Sequence, residues 1–269
     1  MIIDGFTFYN EFDMLECRLE YLYDHVDYFI ISEADHSFSG KPKQFNYALN
    51  QARFEKYQDK ILYAPLQIDP AGYNLDLANY SPDMLVGTGS DFWKIERQQR
   101  NNIASALTQF DDDAIVLIGD LDEIPNVNLF TRFSTDLNIN KIIYFDMVGC
   151  QYNLKYQCGS GWFKSFVSTK EHVVRHTPDL IRAGHPHCYY THGGWHLSYF
   201  MTPEQIKDKI ENFSHQELNT PHWTDVNRIA DCMANGRDVY DRGSFGDPTP
   251  REFYPVSFMN SFNRFYPEN

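Results

Sequence analysis

Ala114-Ile-Val-Leu-Ile-Gly-Asp-Leu-Asp-Glu-Ile-Pro125 decides how this chain is read. Its apolar run, Ala114 to Ile118, ends at Gly119, and Asp120, Asp122 and Glu123 follow at once. A run apolar on both faces predicts a strand covered on both sides, as in a parallel sheet flanked by helices. Asp120 and Asp122 then fall where the strand emerges, and Pro125 stops it from continuing as a central strand. Ligands of open α/β sheets bind beyond the carboxyl ends of the strands. Two carboxylates at that edge can hold a hard divalent cation, which takes oxygen ligands and carries phosphates. With 37 acidic residues in 269, such spacing also arises by chance, and a second acidic group stands at Asp111-Asp112-Asp113. That group precedes the strand, so it reads as a solvated turn at the opposite end.

Working outward, strands are expected at 2–8, at 28–32 (ending in Glu33) and at 61–64. Helices are expected at 11–23, with Leu15, Leu19, Leu22 and Val26 on one face, at 47–57 and at 92–110. This alternation predicts an α/β fold: one domain with a mostly parallel central sheet and helices on both faces. Residues 66–91 lack periodicity and read as a long loop of the kind that serves as a lid. After Pro125 the pattern gives strands at 141–145 and 149–155, then a stretch from 158 to 200 dense in glycine, histidine and aromatics. Helices follow at 203–213, opening on Pro203, and at 224–235. The tail from Gly236 reads as mostly irregular.

Composition removes several classes. A formal charge of −14 argues against nucleic-acid binding, which needs clustered Lys and Arg, and against docking on an anionic membrane. An acidic chain that binds an anionic ligand needs a metal or a local basic patch. No apolar run approaches the roughly 20 residues that span a bilayer. Met1 to Phe8 reads as a first strand rather than a leader. Five widely spaced cysteines with no C-x-x-C pair favour free thiols in a reducing compartment. Aromatic content of 16% supplies flat faces that suit sugar rings, as well as core filler.

Several side chains can reach the active edge. Asn10, Glu11 and Glu33 lie just beyond strands one and two, where a carboxylate can accept from a ribose or base; Glu11 is equally a first-turn helix acid. Lys94, Arg97, Arg100 and Asn101 form the densest cationic group, and arginine suits bidentate phosphate contacts. Gly193-Gly194-Trp195-His196 combines flexible backbone, a stacking face in Trp195 and a possible metal ligand in His196. His185, His187, His192 and His196 lack the paired spacing of a zinc site, so a single histidine, His196, completing a carboxylate site is preferred. Lys209 can meet a diphosphate, and Glu123 and Glu217 are candidates for a base.

The ordered segments Asn10-Glu-Phe-Asp-Met-Leu-Glu-Cys-Arg18, Val26-Asp-Tyr-Phe-Ile-Ile-Ser-Glu-Ala34, Phe38-Ser-Gly-Lys-Pro42, Gly119-Asp-Leu-Asp-Glu-Ile-Pro125, Gly194-Trp-His-Leu-Ser198 and Thr202-Pro-Glu204 carry a resemblance. The chain resembles glycosyltransferase family 17, whose animal members are N-acetylglucosaminyltransferases. The resemblance implies a GT-A-like fold, a UDP-GlcNAc donor, an oligosaccharide or glycoconjugate acceptor, a divalent Mn²⁺ or Mg²⁺ and inversion at the anomeric carbon. It further implies that Asp120 and Asp122 serve metal and diphosphate and that Glu33 lies in the nucleotide pocket. Residues 1–125 are then the nucleotide-binding half of a single domain over 1–269, and 126–269 the acceptor-side half. With neither anchor nor stem in view, the expected setting is the cytoplasm of a bacterium or of a virus-infected host. A non-catalytic glycan-binding protein and a metal-dependent nucleotidyltransferase or phosphohydrolase are the rival expectations.

Overall fold

In chain order the elements are β1 (Ile2–Thr7), α1 (Phe12–Leu22), β2 (Tyr28–Ala34), α2 (Asn46–Asn50), β3 (Ile61–Leu66), α3 (Pro82–Leu85), α4 (Phe92–Ala106) and β4 (Ile115–Asp120). There follow β5 (Glu123–Pro125), α5 (Phe133–Ile139), β6 (Ile142–Gln151), β7 (Gln157–Trp162), β8 (Phe166–Thr169), α6 (Lys170–His176) and α7 (Pro178–Arg182). The last elements are β9 (Tyr189–Ser198), α8 (Pro203–Asn212), α9 (Val226–Ala234) and α10 (Val256–Phe262). This is a computed structural model, which describes residues 1–85, 89–245 and 253–262.

Alternate residues of β4 feed two cores, because successive strand side chains point to opposite faces. Ile115 and Leu117 join the core that holds Leu15, Leu19 and Phe258 of α1 and α10. Val116 and Ile118 join the core on the other face, with Ile103 of α4 and Ile181 of α7. Helices therefore cover both faces, as the uninterrupted apolar run requires. The strands form one nine-stranded sheet in the order β3-β2-β1-β4-β8-β6-β9-β5, with β7 paired to β6. β1 to β4, β6 and β9 point one way, while β5, β7 and β8 run against them. The mostly parallel α/β sheet is thus present, with its reversed strands all following β4 in the chain.

Some boundaries differ from expectation. The two strands expected at 141–145 and 149–155 are one strand, β6, carried past Asp146 by an irregularity in its pairing with β9. The helix expected at 47–57 is a short α2 followed by a 3₁₀ segment, broken at Phe54 by a non-helical backbone. The stretch 158–200 resolves into three strands and two helices. Within 66–91 lie a 3₁₀ turn at Leu77–Asn79 and α3, and residues 86–88 of that expected loop are outside the described residues. The tail holds α10, packed on α1, while 246–252 and 263–269 of the expected irregular tail lie outside the described residues.

Two structural demands bear on the site. A side chain at Gly193 would sit 2.7 Å from Phe145 Cβ, and one at Gly194 would sit 2.2 Å from the Ile124 carbonyl oxygen. The glycine pair therefore seats β9 between β6 and β5; its purpose is close strand approach and not access to a ligand. The second demand is met by Arg18, which stands on the buried face of α1. Its guanidinium grips the Asp4 carboxylate with Nε and Nη2 at 2.8 and 2.7 Å. Nη1 donates to the carbonyls of Asp120, Leu121 and Glu123 at 2.9, 3.1 and 2.7 Å. One buried cation thus satisfies a buried carboxylate and the turn that follows β4.

Arg18→Ala should lower the unfolding free energy by about 3–5 kcal/mol, since Asp4 is left as an unpaired buried charge. In a urea-unfolding double-mutant cycle, adding Asp4→Ala should recover part of that loss. A single-variant loss below about 1 kcal/mol would show that the grip is not needed.

Candidate active site

β4 delivers Asp120 opposite Thr7 of β1 at the carboxyl edge of the parallel strands. There Asp120 accepts from Arg182 Nη2 at 2.6 Å and from Arg100 Nη2 at 3.1 Å. Arg100 also pairs with Glu96 at 2.6 Å and Asp179 at 2.7 Å. Both oxygens of Asp120 are thereby engaged by guanidinium groups. Asp120, expected to serve a metal, thus holds two arginines at the cleft through both of its oxygens. The acidic triplet 111–113 lies exposed at the far end of β4, where Asp112 pairs with Lys170 at 2.7 Å.

Glu123 lies wholly out of contact with solvent. Arg182 binds it through two nitrogens at 2.7 and 2.8 Å, Trp162 Nε1 donates at 2.6 Å, the Asp120 amide at 2.9 Å, and the Ser165 hydroxyl also donates. Burial alone would raise its pKa, but the charge and hydrogen bonds of Arg182, helped by His196 and Ser165, hold it well below the carboxylate range. A sealed carboxylate so strongly stabilised as an anion is unsuited to accept a proton, which removes Glu123 as a base. It anchors Arg182 and Trp162.

Asp122 stands on the cleft side of the same turn. The β5–β9 register sets His196 beside Glu123, and the Leu197 amide donates to the Asp122 carbonyl at 2.8 Å. Its carboxylate lies 3.8 Å from His196 Nε2 and 3.5 Å from Lys209 Nζ, and Lys209 reaches Glu11 at 3.4 Å. The His196 ring is stacked on Trp162, centroids 4.4 Å apart and 20° from parallel. Burial pushes the Asp122 pKa up, and Lys209 and His196 offset this only in part. For Lys209, burial would depress the pKa, but Asp122 and Glu11 outweigh it and keep the ammonium charged.

A cleft of about 450 Å³ opens here. Of the residues singled out from sequence, Glu11, Arg97, Arg100, Asp120, Asp122, His196 and Lys209 line it together. Others do not reach it. Glu33 is buried and accepts from Lys43, Tyr63 and the amides of Asn46 and Tyr47, so it anchors the start of α2. Trp195 alternates away from His196 into the core against Phe258 and Tyr21. Asn10 donates to Asp208 and borders a smaller adjoining cavity. Asn101 accepts from the Asp179 amide at 2.9 Å. Glu217 binds His215 Nδ1 at 2.7 Å, and it is His215 that faces the cleft. Sequence reasoning missed Arg182, Trp162, Lys164, Tyr199 and Trp93. Nothing in the local pattern around Arg182 marks it.

The donor set suits a divalent cation in one place. Asp122 and His196, 3.8 Å apart, can share an ion held at about 2.1 Å from each. Among the described residues no three His, Cys, Asp or Glu side chains converge to hold a metal. The remaining ligands would come from phosphate oxygens and water, which is how Mg²⁺ is commonly bound with phosphate substrates.

Because the Glu123 pKa is lowered on folding, its stabilisation is present above the unfolded carboxylate pKa, about 4.3, and is lost as pH falls towards the folded value. Urea unfolding in chelator should find Glu123→Gln less stable than the parent by a constant margin above about pH 5, narrowing as pH falls below 4. A margin that widens on acidification would contradict this assignment.

The chain is similar to the β-1,4-mannosyl-glycoprotein 4-β-N-acetylglucosaminyltransferases of Rattus norvegicus and Homo sapiens. Each is 25% identical over 293 residues, covering 95% of this chain and 50% of the relative. The chain thus spans half the length of these relatives. Among solved structures it has a distant likeness to S. aureus TarS 1-349, 12% identical with TM-score 0.40 over 87% of this chain and 70% of that one. The family model for glycosyltransferase family 17 matches residues 1–243. Matched over all but its last residues, this chain belongs to glycosyltransferase family 17.

Proposed function

We propose that this chain transfers N-acetylglucosamine from UDP-GlcNAc to a hydroxyl of an oligosaccharide or glycoconjugate, with inversion at the anomeric carbon and with Mn²⁺ or Mg²⁺ bound. The observation that carries this reading is Asp122, under-compensated on the cleft floor between His196 and Lys209, with Arg100 and Arg182 on the same rim. A carboxylate short of positive charge beside several cations fits a bound cation–diphosphate pair. Asp122 and His196 would hold the ion, whose chemistry when bound is to neutralise charge developing on the leaving diphosphate. Lys209, kept charged by Asp122 and Glu11, and the exposed Lys164 would bind phosphate oxygens. Arg100 and Arg182, fixed by Asp120, would do so with less reorganisation, since their side chains are already ordered. Tyr9 and Phe38 line the cleft and offer flat faces for the nucleobase.

The chain acts on this reading as a single domain over 1–269. Residues 1–125 form the nucleotide-binding half, and 126–269 form the acceptor-side half while lending Arg182, His196 and Lys209 to the cleft. Among the described residues no helix is long and apolar enough to cross a membrane. Five free thiols suit a cytoplasmic setting.

A thermal-shift comparison tests the assignment of Asp122. UDP-GlcNAc at 100 times its Kd should stabilise the parent by about 2.7 kcal/mol when Mn²⁺ is present, and far less in chelator. Asp122→Ala should lose the Mn²⁺-dependent part and release UDP at least about 100-fold more slowly. Unchanged turnover and metal dependence in Asp122→Ala would remove that residue from the site.

A further inference from the structure

If the chain transfers sugar as proposed, the attacking hydroxyl must give its proton to a side chain within the cleft. The cleft-lining carboxylates are already committed. Glu11 and Asp122 share Lys209, while Glu96, Asp120 and Asp179 all pair with Arg100. Each would have to surrender an ion pair to accept a proton. Two imidazoles also line the cleft, His196 and His215. His196 is stacked on Trp162 and turned towards Asp122. His215 is differently placed.

We propose that His215, oriented by Glu217, is the base that receives the acceptor's proton. Glu217 Oε1 lies 2.7 Å from His215 Nδ1, which sets that nitrogen as the one carrying hydrogen. Nε2 is then the lone-pair nitrogen, and it has no hydrogen-bond partner among the described residues. The other Glu217 oxygen, Oε2, is buried without a hydrogen bond. Glu217 holds the ring in one tautomer and one orientation, as the carboxylate of a catalytic triad does. Trp93 meets the ring edge-on, centroids 4.7 Å apart at 82°, and Phe213 packs at 5.4 Å, which fixes its orientation. The neighbouring Ser214 hydroxyl donates to Glu96, which binds the Arg100 that holds Asp120. His215 is thereby tied through three contacts to the cationic end of the cleft.

In the step itself the acceptor O–H bond breaks and its proton passes to Nε2. The oxygen's electron pair forms the new bond to the anomeric carbon. The bond from that carbon to the diphosphate oxygen breaks, and its electron pair leaves on UDP.

UDP release from UDP-GlcNAc with water as acceptor tests this without knowledge of the glycan, because water must lose a proton by the same route. With Mn²⁺ present, His215→Ala should lower kcat by about 100-fold or more. Its Kd for UDP, by calorimetry, should stay within about threefold, and added imidazole should restore part of the lost rate. Glu217→Gln should lower kcat by about tenfold and leave UDP binding intact. Should His215→Ala fold poorly, His215→Gln carries the same expectations. A kcat within threefold of the parent, a UDP affinity that falls as far as kcat, or no response to imidazole would each overturn the assignment of His215. A parent protein that releases no UDP from UDP-GlcNAc would overturn the transferase reading and this assignment with it.

Discussion

The guanidinium of Arg18 is the constraint on which the cleft depends. It is buried on the apolar face of α1, neutralised by Asp4 of β1, and spends its remaining donors on three carbonyls of the turn that follows β4. Arginine suits this place because its planar fork presents several donors in fixed directions, which an ammonium does not. Leu121 is buried and falls between β4 and β5, so without this clamp its carbonyl would lose this partner. With it, Asp120, Asp122 and Glu123 leave the turn in three defined directions. Asp120 faces the arginines of α4 and α7, Asp122 the cleft floor, and Glu123 the interior.

That division separates three acids close in sequence into three electrostatic settings. Glu123 is buried yet richly bonded, so it persists as an anion and acts as an anchor. Asp120 trades its charge for the ordering of Arg100 and Arg182. Asp122 is left short of positive charge and has Lys209 and His196 at longer range. A site organised this way has its cations placed before ligand arrives, which limits the reorganisation needed when charge moves.

The sheet was legible in the sequence because burial on both faces leaves an unbroken apolar run, and β4 has one. Asp122, His196 and Lys209 stood out near the ends of elements and Arg100 as part of a basic group on one helix, and all four line one cleft. Glu33 and Trp195 misled for the same reason. Each is at or near the end of a strand, but which face it takes depends on pairing partners distant in sequence. Arg182 and Trp162 were invisible because they serve Glu123 across the fold. Arg18 and Asp4 carried a readable signal: a cation three residues after Leu15 and four before Leu22 lies on the apolar face, and an acid interrupts an otherwise apolar first strand. A buried pair was the physical solution to both anomalies.

Anomalous diffraction from crystals soaked with MnCl₂ and UDP bears most directly on this picture. Manganese should appear bonded to Asp122 and His196, with the diphosphate of UDP between it and the side chains of Lys209, Arg100 and Arg182. A manganese peak away from Asp122, or a diphosphate outside the cleft at the end of β4, would contradict it.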